Sequence, residues 1–237
     1  MPKETSRPAS DAEFDYRRAA GKKEDRFSLR GLYINRFVNR PLASPLVRLL
    51  FRTRVTPNQV TVAAFVLNLI GAGLFILGKT WAFAAGGVLA QLSSIVDCAD
   101  GMLARARGHT SEFGGTLDLV LDRTGELFLM GGAFVGDFLF RREILFLILG
   151  LLATAIYFLQ TTLYYLIKAY EGDRRKGEVA ENRGWLMALL LVFGLAGRFD
   201  LGGLVLLAYS ACACAYLILR FVRRRGREPG TNIDSKP

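Results

Sequence analysis

Four carboxylates stand where an apolar chain has few physical reasons to keep any. Asp97 and Asp100 lie late in one long apolar segment, Asp118 and Asp122 lie early in the next, and a short run with Arg105 and Arg107 separates them. Charge at such a depth is costly unless it is paired or used. Asp97 and Asp100 are i and i+3, Asp118 and Asp122 are i and i+4, so each pair shares one helix face. At 1.5 Å per residue, Asp100 and Asp97 lie about 10 and about 15 Å from a helix end near Arg107. Asp118 and Asp122 lie about 8 and about 14 Å into a helix that begins near Phe113. In antiparallel helices Asp97 then meets Asp122, and Asp100 meets Asp118. Gly101, Ala104 and Gly114 on these faces allow close helix approach or leave room for a ligand.

Carboxylate oxygens suit a hard cation, Mg²⁺ or Mn²⁺, and two ions would fit among four such groups. Magnesium held in this way commonly completes its shell with substrate phosphates, and Arg105 is placed to grip one. The structural alternative pairs Asp100 and Asp118 with Arg105 and Arg123, but buried ion pairs stabilise a bundle poorly. Cys98, Cys212 and Cys214 each fall inside apolar segments and suggest neither a disulfide framework nor a zinc cluster. Cys98 reads as a small packing residue rather than a nucleophile. His109, the single histidine, is a loop residue with no assigned role.

The elements that position these groups follow from segregation of charge. The chain has 237 residues, 51% of them hydrophobic, and a net charge of +10. Its basic residues lie between long apolar blocks, as in a membrane protein with basic loops. No nucleic-acid-binding signature accompanies the charge, so nucleic acid is not an expected partner. Residues 1–27 read as a disordered tail of mixed charge. Residues 28–54 interleave Leu, Tyr and Phe with Arg and suit interfacial amphipathic helices broken by Pro41 and Pro45. Thr56-Pro57-Asn58 announces a helix, with threonine as its cap and proline in its first turn. Apolar segments follow at 59–78, 81–107, 113–139, 143–170, 184–198 and 202–222, the fifth being short.

The expected fold is therefore all-α: a polytopic membrane protein with six transmembrane helices over residues 55–222, preceded by the interfacial region and followed by a tail at 223–237. The polar N-terminus argues against a cleavable leader. Six spans put both termini on one side, and 26 of the 31 Lys and Arg residues fall on that side against four on the other. The bias places both termini, and the carboxylate end of the bundle, in the cytoplasm. Asn68, Gln91 and Gln160 are expected to hydrogen-bond between helices. Arg123 is expected to balance local charge, most simply by pairing with Glu126.

The pattern Asp97-x-x-Asp100-Gly101-x-x-Ala104-Arg105, eight residues, then Gly114-x-x-x-Asp118-x-x-x-Asp122 resembles the signature of the CDP-alcohol phosphotransferases, with every fixed position met. The resemblance extends from the interfacial region through the sixth span. It implies a six-helix membrane enzyme that dimerises, with a catalytic cavity open to the cytoplasm. Asp97, Asp100, Asp118 and Asp122 would hold metal, with Asp122 also serving as the base for the acceptor hydroxyl. Gly101, Ala104, Arg105 and Gly114 would contact the CDP moiety, with Pro57 and Asn58 bordering it. The implied reaction moves a phosphatidyl-type group from a CDP-alcohol, such as CDP-diacylglycerol, to a polar alcohol, with release of CMP.

Arg183 at the start of the fifth helix, with Arg174 and Arg175 in the preceding loop, would bind a phosphate on the acceptor. The stretch Glu178 to Arg183 loosely resembles the inositol-phosphate branch of the family. Head-group transfer from CDP-choline or CDP-ethanolamine to diacylglycerol is the alternative reaction. A prenyltransferase would lack the Gly101, Ala104, Arg105 and Gly114 pattern. Carboxylate-based cation or proton transport is the alternative of another class.

Overall fold

The computed structural model describes residues 34–170 and 182–225. Among these, every regular element is helical: a π-helical turn Asn35–Asn39, then α1 Arg40–Phe51, α2 Pro57–Ile76, α3 Thr80–Arg107, α4 Glu112–Arg141, α5 Ile144–Tyr170, α6 Asn182–Ala196 and α7 Phe199–Arg225. The tail at 1–27, the segment 28–33, the loop holding Arg174, Arg175 and Lys176, and the chain beyond 225 lie outside the described residues.

Helices α2 to α7 match the six expected apolar segments to within a few residues. Four of them, α2, α3, α5 and α7, are long and apolar enough to cross a membrane. Helix α4 has 30 residues but carries the charges of Asp118, Asp122, Arg123 and Glu126, and α6 has only 15. The outward faces are apolar, with Val66, Ile70, Leu145, Ile148, Leu159 and Val192 exposed. The chain is an integral membrane protein by these features.

Local chemistry sets the helix ends. Thr56 caps α2 in a reciprocal box: its hydroxyl accepts from the Gln59 backbone N–H at 3.3 Å, and Gln59 Oε1 accepts from the Thr56 N–H at 2.9 Å. Gly108, with φ +71°, ends α3 in the left-handed region. Ser111 then opens α4 by accepting from the Gly114 N–H at 3.0 Å. This short turn brings the ends of the two carboxylate-bearing helices together.

One expectation needs correction: Pro41 and Pro45 do not break the amphipathic region. Pro41 sits in the first turn of α1, where its missing N–H costs nothing, and Pro45 lies inside a continuous helix. Burial of Ala43, Val47 and Phe51 against Ala99, Met102 and Leu103 of α3 outweighs the one hydrogen bond that Pro45 forfeits. Nor does α1 rest on the bundle at a single point. Before it, Asn39 Nδ2 donates to Ser94 Oγ at 2.9 Å; at its end, Arg107 donates to the carbonyls of Leu50, Phe51, Thr53 and Val55. These anchors are about 20 Å apart along α3, so α1 runs lengthwise beside it. Its other face leaves Leu42 and Leu49 exposed, as an amphipathic helix at a lipid surface requires.

Helix α2 is the central strut. It packs along both α3 and α4, α3 packs on α6, and α5 packs on α7. The larger apolar cluster extends to the end of the bundle away from the carboxylates, where Phe199 meets Phe75 and Phe83 edge-to-face at 5.0 and 5.2 Å. Backbone contact between α2 and α4 is close. A Cβ added at Gly132 would stand 2.6 Å from the Ala72 carbonyl oxygen, and one at Gly136 would overlap that of Phe75. Replacing Gly136 by alanine therefore forces α2 and α4 apart, and thermal unfolding in detergent should show a loss of about 1–3 kcal/mol. Gly131→Ala, whose added methyl would meet nothing within 4 Å, should leave the midpoint unchanged.

Candidate active site

Three of the four expected carboxylates converge. Asp97 and Asp100 of α3 and Asp118 of α4 each offer an oxygen, and these oxygens lie within 4.8 Å of one another. Asp100 is buried, and Asp97 and Asp118 are half-buried. Asp118 Oδ1 is shielded from solvent with no hydrogen-bond partner. An all-carboxylate donor set with an unsatisfied buried oxygen fits a hard divalent cation. Three anions this close would repel strongly in a low-dielectric site without one.

Asp122 lies beside this group and joins it through Arg183. The Arg183 side chain is 4% exposed; its Nη1 stands 2.6 Å from Asp97 Oδ1 and pairs also with Asp122 Oδ1. Asp97 and Asp122 thus meet across the two helices, as their matching depths predict, with a cation from α6 between them. Arg183 itself reaches the carboxylates rather than the loop surface. Arg174 and Arg175, expected beside it, are outside the described residues.

Helices α3 and α4 carry the motif, yet each packs chiefly on other helices, α2 above all. The small residues of the motif serve local room more than helix–helix approach. A Cβ at Gly101 would stand 3.2 Å from Arg105 Nη1, so the glycine lets that guanidinium fold back over its own helix. A Cβ at Gly114 would stand 3.1 Å from Asn58 Oδ1. Gly114 therefore places the start of α2, with Pro57 and Asn58, against the start of α4, beside the carboxylates. Ala104 lies on the same turn of α3 as Arg105, and its carbonyl accepts from the His109 N–H at 3.0 Å, closing the helix end.

Several residues of the site were not read from the sequence. Thr61 of α2 is buried, and its Oγ1 donates to Asp100 Oδ2 at 2.5 Å, so α2 orients one carboxylate from outside the motif. A polar residue one turn after Pro57 in an apolar helix was the available signal. Arg123 pairs with Glu126 at 2.6 Å as expected, but the pair also takes in Tyr157 of α5, whose hydroxyl lies 3.3 Å from Glu126 Oε2. Of the polar residues expected to bridge helices, Gln91 Nε2 donates to Asn39 Oδ1 at 2.7 Å. Asn68 does not conform: both its side-chain polar atoms are buried without partners. Asn68 packs closely on Gly125, where an added Cβ would stand 2.5 Å from its Nδ2.

Comparison with known proteins bears on the family and the fold. The bifunctional IPC transferase and DIPP synthase of Thermococcus kodakarensis is 43% identical over 91 residues, 38% of this chain and 20% of that protein. The archaetidylinositol phosphate synthase of Pyrococcus horikoshii is 35% identical over 95 residues, 40% of this chain and 48% of its own length. The phosphatidylinositol phosphate synthase of Mycolicibacterium smegmatis is 34% identical over 96 residues, 40% of each chain. The match thus spans less than half the length of each of these relatives. The fold is that of the Mycobacterium tuberculosis phosphatidylinositol phosphate synthase, solved with CDP-DAG bound: the TM-score is 0.63 at 23% identity, over 83% of this chain and 99% of that one. The same synthase solved with manganese and citrate aligns with a TM-score of 0.63 at 24% identity, over 82% of this chain and 93% of that one. The sequence profile described as CDP-alcohol phosphatidyltransferase matches residues 54–217, from the start of α2 through most of α7, and so encloses the carboxylate cluster. By that match, this chain belongs to the CDP-alcohol phosphatidyltransferase family.

Proposed function

We propose that this chain is a metal-dependent transferase that passes a phosphatidyl group from CDP-diacylglycerol to a hydroxyl of a phosphorylated polyol, releasing CMP. The observation that carries the reading is the convergence of Asp97, Asp100 and Asp118 within 4.8 Å, with the buried guanidinium of Arg183 at the same place. A site built of clustered carboxylates and a buried cation suits two phosphate-bearing substrates better than a neutral acceptor. Relatives named for archaetidylinositol phosphate and phosphatidylinositol phosphate make inositol phosphate the first acceptor to try.

In this reading Asp97, Asp100 and Asp118 hold the divalent cation, Mg²⁺ or Mn²⁺, with a second ion accommodated beside the first. The bound cation would neutralise the diphosphate and ease departure of the leaving group. Thr61 keeps the Asp100 carboxylate turned toward the cluster. Arg105, folded back over Gly101, receives the diphosphate, while Ala104, Gly114, Pro57 and Asn58 border the CDP moiety. The acceptor hydroxyl attacks the phosphorus that bears the lipid; the bond from that phosphorus to the bridging oxygen breaks, and CMP leaves with that oxygen. Asp122 takes the hydroxyl proton. Its place beside the three-carboxylate group supports a base role over a ligand role. Arg183, with Arg174 and Arg175, holds the acceptor's phosphate.

Six spans, with the carboxylate end and both termini in the cytoplasm, are the topology we assign. The charge bias supports it: Arg105 and Arg107 lie at the site, whereas Arg141, Arg142 and Arg198 lie at the other end. Assembly as a homodimer belongs to the same reading.

The test is CMP release by detergent-purified protein supplied with CDP-diacylglycerol and Mg²⁺ or Mn²⁺. Inositol phosphate, glycerol 3-phosphate, inositol and serine serve as separate acceptors. Metal-dependent release with a phosphorylated acceptor is expected, and Asp122→Asn should lower kcat by about 10²–10⁴-fold, the usual worth of a general base. Equal release with unphosphorylated inositol would overturn the acceptor assignment, and release with no acceptor or donor of this class would overturn the transferase. Removal of the Thr61 hydroxyl in Thr61→Val should raise the metal concentration needed for half-maximal rate by about tenfold or more, as loss of an outer-shell partner does. Its rate at saturating metal should stay near that of the parent.

A further inference from the structure

One turn beyond Asp122, on the same face of α4, lies a second set of buried charges. Glu126 is fully buried and stands at i+4 from Asp122. Its Oε2 accepts from Arg123 Nη1 at 2.6 Å and from the Tyr157 hydroxyl at 3.3 Å, while its Oε1 has no hydrogen-bond partner. Arg123 Nε is also buried without one. A pair kept for stability alone would satisfy both carboxylate oxygens in a guanidinium fork. A half-satisfied buried pair is a poorer stabiliser than apolar side chains of the same volume. Glu126 therefore carries an acceptor that its immediate partners leave unused.

The complementary donor belongs to the neighbouring site. Arg183 spends Nη1 on both Asp97 and Asp122, and its Nε is buried with no hydrogen-bond partner. Glu126 stands one helical turn from Asp122, which Arg183 already grips, on the same face of α4. Asp97 and Asp122 are the groups that the proposed chemistry commits to metal and proton transfer, and in that state Glu126 is the buried carboxylate on this face left to hold the guanidinium.

We infer that Glu126 is a positioning residue for Arg183, and that through Arg183 it governs use of the acceptor's phosphate rather than phosphatidyl transfer itself. Arg123 and Tyr157 hold Glu126 in turn. The inference rests on the acceptor assignment above, in which Arg183 binds that phosphate.

Glu126→Gln keeps the size of the side chain and removes its charge; Tyr157→Phe removes one hydroxyl that orients it. Two readouts are made on full-length protein in detergent with Mn²⁺. The first is binding of inositol phosphate, inositol and inorganic phosphate by calorimetry without donor. The second is steady-state kinetics with CDP-diacylglycerol. Glu126→Gln should weaken inositol phosphate binding and raise its KM by about tenfold or more, the usual effect of losing such an outer-shell partner. The donor KM and the kcat at saturating acceptor should stay near those of the parent, the unfolding midpoint should fall because Arg123 loses its anion, and Tyr157→Phe should shift acceptor binding the same way by less. Loss shared with inorganic phosphate would place the effect on the phosphate itself, as the inference requires. A parallel worsening of donor KM and kcat would mark Glu126 as structural and overturn it, as would unchanged acceptor binding in both variants. If the parent binds inositol phosphate but turns over no donor, the transferase reading fails while the binding arm still decides the role of Glu126.

Discussion

Everything in this bundle answers to the cost of holding several carboxylates together inside an apolar helix array. Asp97, Asp100 and Asp118 bring oxygens within 4.8 Å of one another, and Asp122 stands beside them. In a low-dielectric setting such anions persist only with cations or protons to match. Among the described residues, Arg183 brings its guanidinium to this group, and Asp118 Oδ1 has no hydrogen-bond partner. A divalent cation resolves the imbalance, and a phosphate-bearing substrate then has something to bind. The cost of the cluster and its chemistry are one feature.

The supporting elements make sense from that constraint. The motif helices α3 and α4 are set apart by α2, which contacts both and reaches into the site with Thr61 and Asn58. The space between α3 and α4 is thus defined by a third helix rather than by the two closing on each other. Arg107 ties α1 and the link before α2 to the end of α3 through four backbone carbonyls, fixing the approach of Thr56, Pro57 and Asn58. At the opposite end, Phe75, Phe83 and Phe199 pack the bundle, and the buried carboxylates of Asp137 and Asp200 are paired with Arg141 and Arg198. The charges at that end are matched within the chain, whereas the carboxylate cluster keeps an unpartnered oxygen.

Much of this was legible in the sequence because it is local. The i, i+3 and i, i+4 spacings fixed the faces of the carboxylates, Thr56-Pro57 marked the start of α2, and the equal depths of Asp97 and Asp122 foretold their meeting. What escaped is long-range. Nothing in the periodicity of α2 says that Thr61 faces Asp100, nor does the pattern of α5 say that Tyr157 faces Glu126. Pro45 misled because local propensity ignores the burial of Val47 and Phe51 against α3. Asn68 misled because nothing local says that it packs on Gly125.

The most direct measurement is Mn²⁺ binding to the purified protein in detergent, followed by electron paramagnetic resonance. The account predicts binding by the parent that is weakened about tenfold or more in Asp118→Asn and in Asp100→Asn, each of which removes one anionic ligand. Competition by Mg²⁺ at the same site should accompany it. Absence of specific Mn²⁺ binding in the folded parent, or binding equally tight in both variants, would contradict the claim that the carboxylate cluster exists to hold a metal.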